Sequence, residues 1–294
     1  VTPVVFSLAD GEPHAVRLIE RLGAERGVAE IRRFPDGEIY VRIDSPVAGR
    51  DVVLVTSLDH PGDKFLDLAF LSATARDLGA ARVGLVAPYL SFMRQDSRFR
   101  PGEGVTSVYF GGMLSRAVDW LVTVDPHLHR FASLEAVYTI PTTIARAAGA
   151  IAAWIRSEVP KAVIVGPDAE SEQWVAAVAG LCDAPFVVLE KTRHGDRDVE
   201  VSTPSLEAWP DRTPVLVDDI ISTARTMVEA TGQIRRAGGA APVCIGIHAV
   251  FANGAQHALV RAGAARVVTC NTIDHPTNQI CVADAIADAV KTAL

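Results

Sequence analysis

Twelve consecutive residues, Val215-Leu216-Val217-Asp218-Asp219-Ile220-Ile221-Ser222-Thr223-Ala224-Arg225-Thr226, gather the densest chemistry in the chain. A short aliphatic run reads as a buried strand, two carboxylates close it, and a loop of small and hydroxylated residues leads into a helix-like segment over 227–236. The first backbone N–H groups of a helix lack intrahelical acceptors and carry partial positive charge. Such a loop therefore admits a phosphate, with Ser222, Thr223 and Thr226 adding hydroxyl donors. Carboxylates beside a phosphate would repel it, so Asp218 and Asp219 suit sugar hydroxyls or a metal ion that neutralises the phosphate. A helix capped by Ser222 or Thr223, with the acids at the positive end of its dipole, would produce the same string without any ligand.

Other clusters punctuate the chain. Arg33-Phe34-Pro35-Asp36-Gly37-Glu38-Ile39 sets two acids around a glycine between strand-like pieces, which is also a favourable β-turn. The segment 89–103 follows a buried strand, breaks periodicity and packs Arg94, Arg98 and Arg100 beside Gln95 and Asp96, the composition of an anion-binding loop or of a solvated one. Asp125-Pro126-His127-Leu128-His129 ends a strand, and its two histidines fall on one side of an extended segment, so a metal pair is open to them. Gly166-Pro167-Asp168 follows the strand-like run 162–165, with Asp168, Glu170 and Glu172 also readable as first-turn helix acids. Finally 190–198 reads as a charged loop in which Lys191 and Arg193 could clamp a polyphosphate or be a solvated turn.

These segments need a scaffold that brings strand ends together. Apolar runs at 4–8, 51–56, 82–88, 120–124, 162–165 and 186–189 alternate with helical stretches at 13–22, 64–78, 107–116, 141–156 and 171–179. Such alternation with fully apolar strands predicts an α/β fold, mostly parallel sheets flanked by helices. The chain also echoes itself. In one half 51–57 leads through a helix to Leu78-Gly79-Ala80-Ala81-Arg82-Val83 and then to 118–125; in the other 213–219 leads through a helix to Ala237-Gly238-Gly239-Ala240-Ala241-Pro242-Val243 and then to Ala262-Gly263-Ala264-Ala265-Arg266-Val267. Two similar domains are expected, 1–143 and 144–294, of which the first has Ser57-Leu58-Asp59-His60 in place of the acid pair and hydroxyl loop.

The 294 residues suit two domains, with 49% hydrophobic and 21% charged residues to build large cores. No apolar run reaches the ~18 residues of a membrane span, and a cytoplasmic protein without membrane contact is expected. A net charge of −7 argues against nonspecific nucleic-acid binding. The four cysteines, Cys182, Cys244, Cys270 and Cys281, lack metal-type spacing and read as small core residues.

The string 215–226 resembles the motif that binds phosphoribosyl diphosphate (PRPP), in which the acids face the ribose hydroxyls and the loop holds the 5-phosphate; Arg225 stands where many members have glycine. Taken in order, the clusters resemble the ribose-phosphate pyrophosphokinase family over residues 33–273. Phe34, Asp36 and Glu38 match a segment that reaches the adenine nucleotide of a neighbouring subunit, and Arg94-Gln95-Asp96 matches a nucleotide loop. Asp125-Pro126-His127 and Pro167-Asp168 match magnesium-binding positions, with His127 and Asp168 as the ligands. Lys191 and Arg193 match the catalytic pair, and Asn271-Thr272-Ile273 a late family string. Ala169-Glu170-Ser171-Glu172-Gln173-Trp174 departs from the glycine-rich segment usual after Pro-Asp.

The resemblance implies two phosphoribosyltransferase-like domains and Mg2+-dependent transfer of the diphosphoryl group of ATP to ribose 5-phosphate, in a homodimer or higher oligomer. Ser222, Thr223, Ala224, Arg225 and Thr226 would then hold the acceptor phosphate. A phosphoribosyltransferase that consumes PRPP shares the 218–226 string but not the 34–38 and 94–96 segments. A silent homologue that binds an active enzyme is the other rival, motivated by 169–174.

Overall fold

A computed structural model describes residues 1–8, 10–194, 198–202, 206–252 and 254–294, with the backbone alone at 170, 190–194, 198–202 and 207. The chain divides into two compact units, Val1–Arg146 with Ala283–Leu294, and Ala147–Val282.

The first unit runs β1 (Val4–Ser7), α1 (Glu12–Leu22), β2 (Glu25–Arg26), β3 (Ala29–Arg33), β4 (Ile39–Ile43), β5 (Asp51–Val55), α2 (Pro61–Asp77), β6 (Arg82–Ala87), α3 (Thr106–Ala117), β7 (Trp120–Val124) and β8 (Thr142–Ala145). Its six-stranded sheet has the order β2-β1-β5-β6-β7-β8, parallel throughout. Residues 52–55, 83–87 and 120–124 are buried without alternation, because helices cover both faces of the sheet. Gly84 makes one close approach possible. A Cβ there would lie 1.9 Å from the Trp120 ring on the neighbouring strand. The antiparallel hairpin β3–β4 stands outside the sheet, with Arg33 reaching Asp67 of α2 at 2.8 Å.

The second unit repeats the plan with α4 (Ala148–Glu158), β9 (Ala162–Gly166), α5 (Glu172–Cys182), β10 (Phe186–Val188), β11 (Glu190–His194), β12 (Asp198–Ser202), β13 (Thr213–Ile220), α6 (Arg225–Arg236), β14 (Val243–His248), α7 (Ala255–Ala262), β15 (Arg266–Cys270) and β16 (Asn278–Ile280). Its sheet order, β10-β9-β13-β14-β15-β16, is that of the first unit strand for strand, and the hairpin β11–β12 falls where β3–β4 falls. The apolar face of α6, Met227, Ala230 and Ile234, packs over Val165, Leu216 and Cys244 of the sheet.

Four sequence expectations are revised. The stretch 141–156 is not one helix: the β-branched run Thr142-Thr143-Ile144 pairs with β7 as strand β8 before α4 begins. The last helix, α8 (Ala283–Ala293), returns to the first unit, so one cut at 143/144 does not describe the division. Its buried face, Ile286, Ala287 and Val290, lies against α1, β7 and β8; Arg17 and Arg21 meet Asp284 and Asp288 at 2.8 and 3.0 Å on the exposed rim. Such exposed pairs add little, and apolar burial holds the helix. The charged segment at 190–198 is a β-hairpin rather than a loop. Of the cysteines, Cys244 and Cys270 are core residues, whereas Cys182 is half-buried and Cys281 exposed.

In each sheet the chain passes from the second strand in the order to the first, then crosses to the third on its other side. The crevice beyond the carboxyl ends of those strands, β1/β5 and β9/β13, is where sheets of this kind take ligands. Among the described residues, no helix is long and apolar enough to cross a membrane.

Candidate active site

At the second of these crevices, β13 carries both acids inside the strand. The pleat directs them differently: Asp219 is 6% exposed, while Asp218 is only partly buried and its Oδ1 accepts the Asp219 N–H at 3.0 Å. Ile221 then turns fully inward and gives its N–H to the His248 carbonyl at 3.1 Å. It can do so because Gly246 lies beneath it, where a Cβ would approach the Ile221 side chain to 2.5 Å. Ala224 adopts the left-handed conformation (φ 58°), which for a non-glycine residue costs about 1–2 kcal/mol, and α6 starts at Arg225 rather than at Met227. No side chain caps that helix. The plain capped-helix alternative is therefore not what the chain builds. Thr223 and Arg225 are exposed and Ser222 and Thr226 half-exposed, around helix N–H groups that have no intrahelical acceptor.

The adjacent strand β9 ends in the loop that carries Asp168. There the Asp168 carbonyl accepts both the Ser171 N–H (3.1 Å) and Ser171 Oγ–H (2.6 Å), and a short 3-10 turn over Ala169–Ser171 precedes α5. Gly166 leaves room for this fold-back, since its Cβ would come 2.5 Å from Ser171 Oγ. Burial, then the neighbouring charges of Asp219 and Asp168, push the Asp218 carboxyl well above the usual carboxylate range. This concentration of like charge favours a cation. Oxygen donors are what a hard ion such as Mg2+ takes, and it is commonly held by one or two carboxylates with substrate phosphates rather than by an all-protein cage. Among the described residues no three His, Cys, Asp or Glu side chains converge as such a cage.

Lys191 and Arg193 lie on β11, opposite Val201 and Val199 of β12. They stand two residues apart on that strand. Residues 195–197 lie outside the described residues.

The first unit holds the remaining predicted residues. Phe34, Asp36 and Glu38 form the exposed tip of β3–β4, closed by Phe34 N–H to Glu38 carbonyl (2.8 Å) and by the Glu38 N–H to Asp36 Oδ1 (3.2 Å), with Gly37 at φ 93°. The β-turn reading is realised. The guanidinium of Arg32 lies over the Phe34 and Tyr40 rings at 4.8 and 4.2 Å. Arg94 is exposed, but Asp96 is buried and meets Arg130 at 2.8 Å, while the Gln95 carbonyl receives Ser107 Oγ–H at 3.0 Å. Asp96 thus shapes its loop from within. Asp125 is buried at the end of β7 with φ 29° and pairs with Arg146 at 3.0 Å; the rings of His127 and His129 stack with centroids 3.8 Å apart. At the first unit's own crevice, Lys64 Nζ lies 3.1 Å from Asp10, 2.6 Å from Asp59 and 3.0 Å from the Ser57 carbonyl. Burial alone would raise the Asp59 carboxyl, yet the hydrogen bond and charge of Lys64 hold it below its usual range. Here the chain's own ammonium neutralises the acids, whereas Asp218 faces like charge.

Comparison with known proteins bears on this geometry. Residues 3–117 match the N-terminal domain of ribose phosphate pyrophosphokinase, and residues 133–285 match the phosphoribosyl transferase domain. The ribose-phosphate pyrophosphokinase of Methanopyrus kandleri is 34% identical over 291 residues, covering 98% of both chains. The chain belongs to the ribose-phosphate pyrophosphokinase family. That of Methanobrevibacter smithii is 29% identical, covering 94% of this chain and 96% of its own. The crystal structure of phosphoribosylpyrophosphate synthetase from Mycobacterium smegmatis shares the fold, with a TM-score of 0.84 at 22% identity over 100% of this chain and 99% of that one. This pyrophosphokinase is therefore an enzyme, a transferase with two phosphoribosyltransferase-like domains.

Sequence reading did not single out two residues that shape the cradle by packing, Ile221 and Gly246. Gly246 carried a faint signal, a glycine inside an otherwise apolar strand, which marks a close approach. Ile221 looks like an ordinary apolar residue after a strand.

Proposed function

We propose that this pyrophosphokinase transfers the β,γ-diphosphoryl group of ATP to the 1-hydroxyl of ribose 5-phosphate, giving PRPP and AMP. The observation that carries the reading is the 218–226 cradle. It is built in full only in the second unit, with uncapped helix N–H groups and an acid pair on the adjoining strand. Asp218 and Asp219 accept hydrogen bonds from the ribose hydroxyls, and the 222–226 loop binds the 5-phosphate through N–H and hydroxyl donors. The acceptor O1 is thereby held for in-line attack on the β-phosphorus as the bond to the AMP oxygen breaks, and no protein nucleophile is required.

ATP is assigned to Phe34, Asp36, Glu38, Arg94 and Gln95, with Asp96 acting through Arg130. Lys191 and Arg193 meet charge as it develops on the transferred group. His127 and Asp168 would hold Mg2+, which when bound neutralises phosphate charge and orients the diphosphoryl group. The direct test is AMP formation from ATP and ribose 5-phosphate with Mg2+; no AMP from pure, folded protein would overturn the reading.

The exposed tip at Phe34–Glu38 supports a homodimer or larger oligomer in which one chain completes the nucleotide site of another. Mixing inactive Glu38→Ala chains with inactive Asp218→Ala chains should then restore part of the activity through hybrid sites. No recovery after demonstrated subunit exchange would count against sharing.

A further inference from the structure

His248 is the last residue of β14, is 1% exposed, and has no part in the roles assigned above. Its Nδ1 lies 2.9 Å from Thr272 Oγ1, which in turn lies 2.8 Å from the Ile247 carbonyl. A hydroxyl has one proton and a carbonyl can only accept. Thr272 therefore donates to Ile247 and accepts from His248, which fixes the imidazole proton on Nδ1. The ring is locked to a hydroxyl that is itself locked to the backbone beside it.

The backbone of His248 leads straight to the cradle. Its carbonyl accepts the N–H groups of Ile221 and Val250, each at 3.1 Å. Three and four residues on, the chain reaches back: Phe251 N–H donates to the Ile221 carbonyl at 2.7 Å and Ala252 N–H to the Ser222 carbonyl at 2.9 Å. Phe251 sits at φ 28°, a strained value for a non-glycine residue, with its ring stacked on His275 at 4.5 Å and 30°. The strap 248–252 thus grips residues 221 and 222 from one side, immediately before the hydroxyl loop.

We propose that His248 is a positioning residue for the acceptor phosphate: through Thr272 it fixes the strap that sets the height and angle of the 221–226 loop. The inference rests on the reading of that loop as the ribose-5-phosphate site. A cradle of converging N–H donors loses much of its bonding when the loop shifts or tilts, because these hydrogen bonds weaken steeply with angle.

The test is steady-state kinetics with both substrates on four variants. His248→Leu and Thr272→Val each remove one side of the bond at similar volume. His248→Asn keeps a donor at the δ position, and Thr272→Ser keeps the hydroxyl. Leu and Val should raise KM for ribose 5-phosphate about tenfold, the scale of one hydrogen bond. KM for ATP should stay within about twofold, and Asn and Ser should restore most of the loss. A purely structural role would lower Tm without separating the two KM values and without rescue by Asn. Unchanged KM for ribose 5-phosphate in both Leu and Val variants, a parallel shift of both KM values, or Asn no better than Leu overturns the proposal. Asp218→Asn serves as control. If it moves the ribose-5-phosphate KM while the Leu and Val variants do not, only this inference falls; if it too is silent, the acceptor-site reading falls with it.

Discussion

Replacing Lys191 or Arg193 by Ala should lower kcat by about 10²–10³, the scale for losing one preorganised stabilising donor, while KM for either substrate moves much less. Both residues lie on the hairpin β11–β12, which among the described residues belongs to neither six-stranded sheet. A two-stranded ribbon of this kind adds little to global stability. The variants should therefore keep the wild-type free energy of unfolding within about 0.5 kcal/mol. Cations that meet the β-phosphate as charge moves onto its oxygens and the departing AMP stabilise the transition state more than bound ATP. Loss of such an interaction registers in kcat, whereas loss of uniform binding registers in KM. Lys191→Arg should recover only part of the rate, because a planar fork does not reproduce a compact ammonium. Near wild-type kcat in both Ala variants would remove the catalytic assignment of this hairpin.

Asp218→Asn should make the ligand-free protein more stable at neutral pH and its acceptor binding much weaker. The folded state holds the Asp218 proton to higher pH than the unfolded chain does, since burial, Asp219 and Asp168 all oppose the charge. Between the unfolded carboxylate pKa, about 3.9, and the raised folded value, the folded state binds more protons, so stability falls as pH rises through that window. The cost is complete above the folded pKa and absent below the unfolded one. Asn has the same shape, can accept the Asp219 N–H through its own Oδ1, and carries no charge. Its Tm should exceed that of wild type at pH 7, and the difference should vanish below about pH 4. Binding of ribose 5-phosphate should weaken by about 1.5–3 kcal/mol, the value of a charge-assisted hydrogen bond, with ATP little affected. Calorimetry across pH and titration with each substrate read both effects. A variant no more stable than wild type at pH 7 would show that Asp218 is not charge-strained, and equal losses for both substrates would detach it from the acceptor.

Much of this protein was legible from the chain alone, for a physical reason. Parallel strands buried on both faces are written as uninterrupted apolar runs, and a strand-acid-loop-helix cradle is local, with all its parts within the twelve residues 215–226. The duplication was legible because each unit runs from strand through helix to a short glycine- and alanine-rich string and the next strand: Leu78–Val83 leads into Arg82–Ala87 after 51–57, and Ala237–Val243 leads into the corresponding strand Val243–His248 after 213–219. Tertiary structure decided the rest. Register across the sheet sets Asp218 beside Gly246 and Ile220 beside His248, partners 28 residues apart in the chain whose meeting no local pattern encodes. Asp96 carried a nucleotide-loop motif, yet it turns inward because Arg130, 34 residues on, lies against it. At the crevice of the first unit the Lys64 ammonium reaches Asp10 across 54 residues of chain and pairs with Asp59. α8 belongs to the first unit rather than the second because its apolar face finds β7, β8 and α1 there. In each case the deciding quantity is which groups share a buried surface, and that is settled only when strands and helices pack.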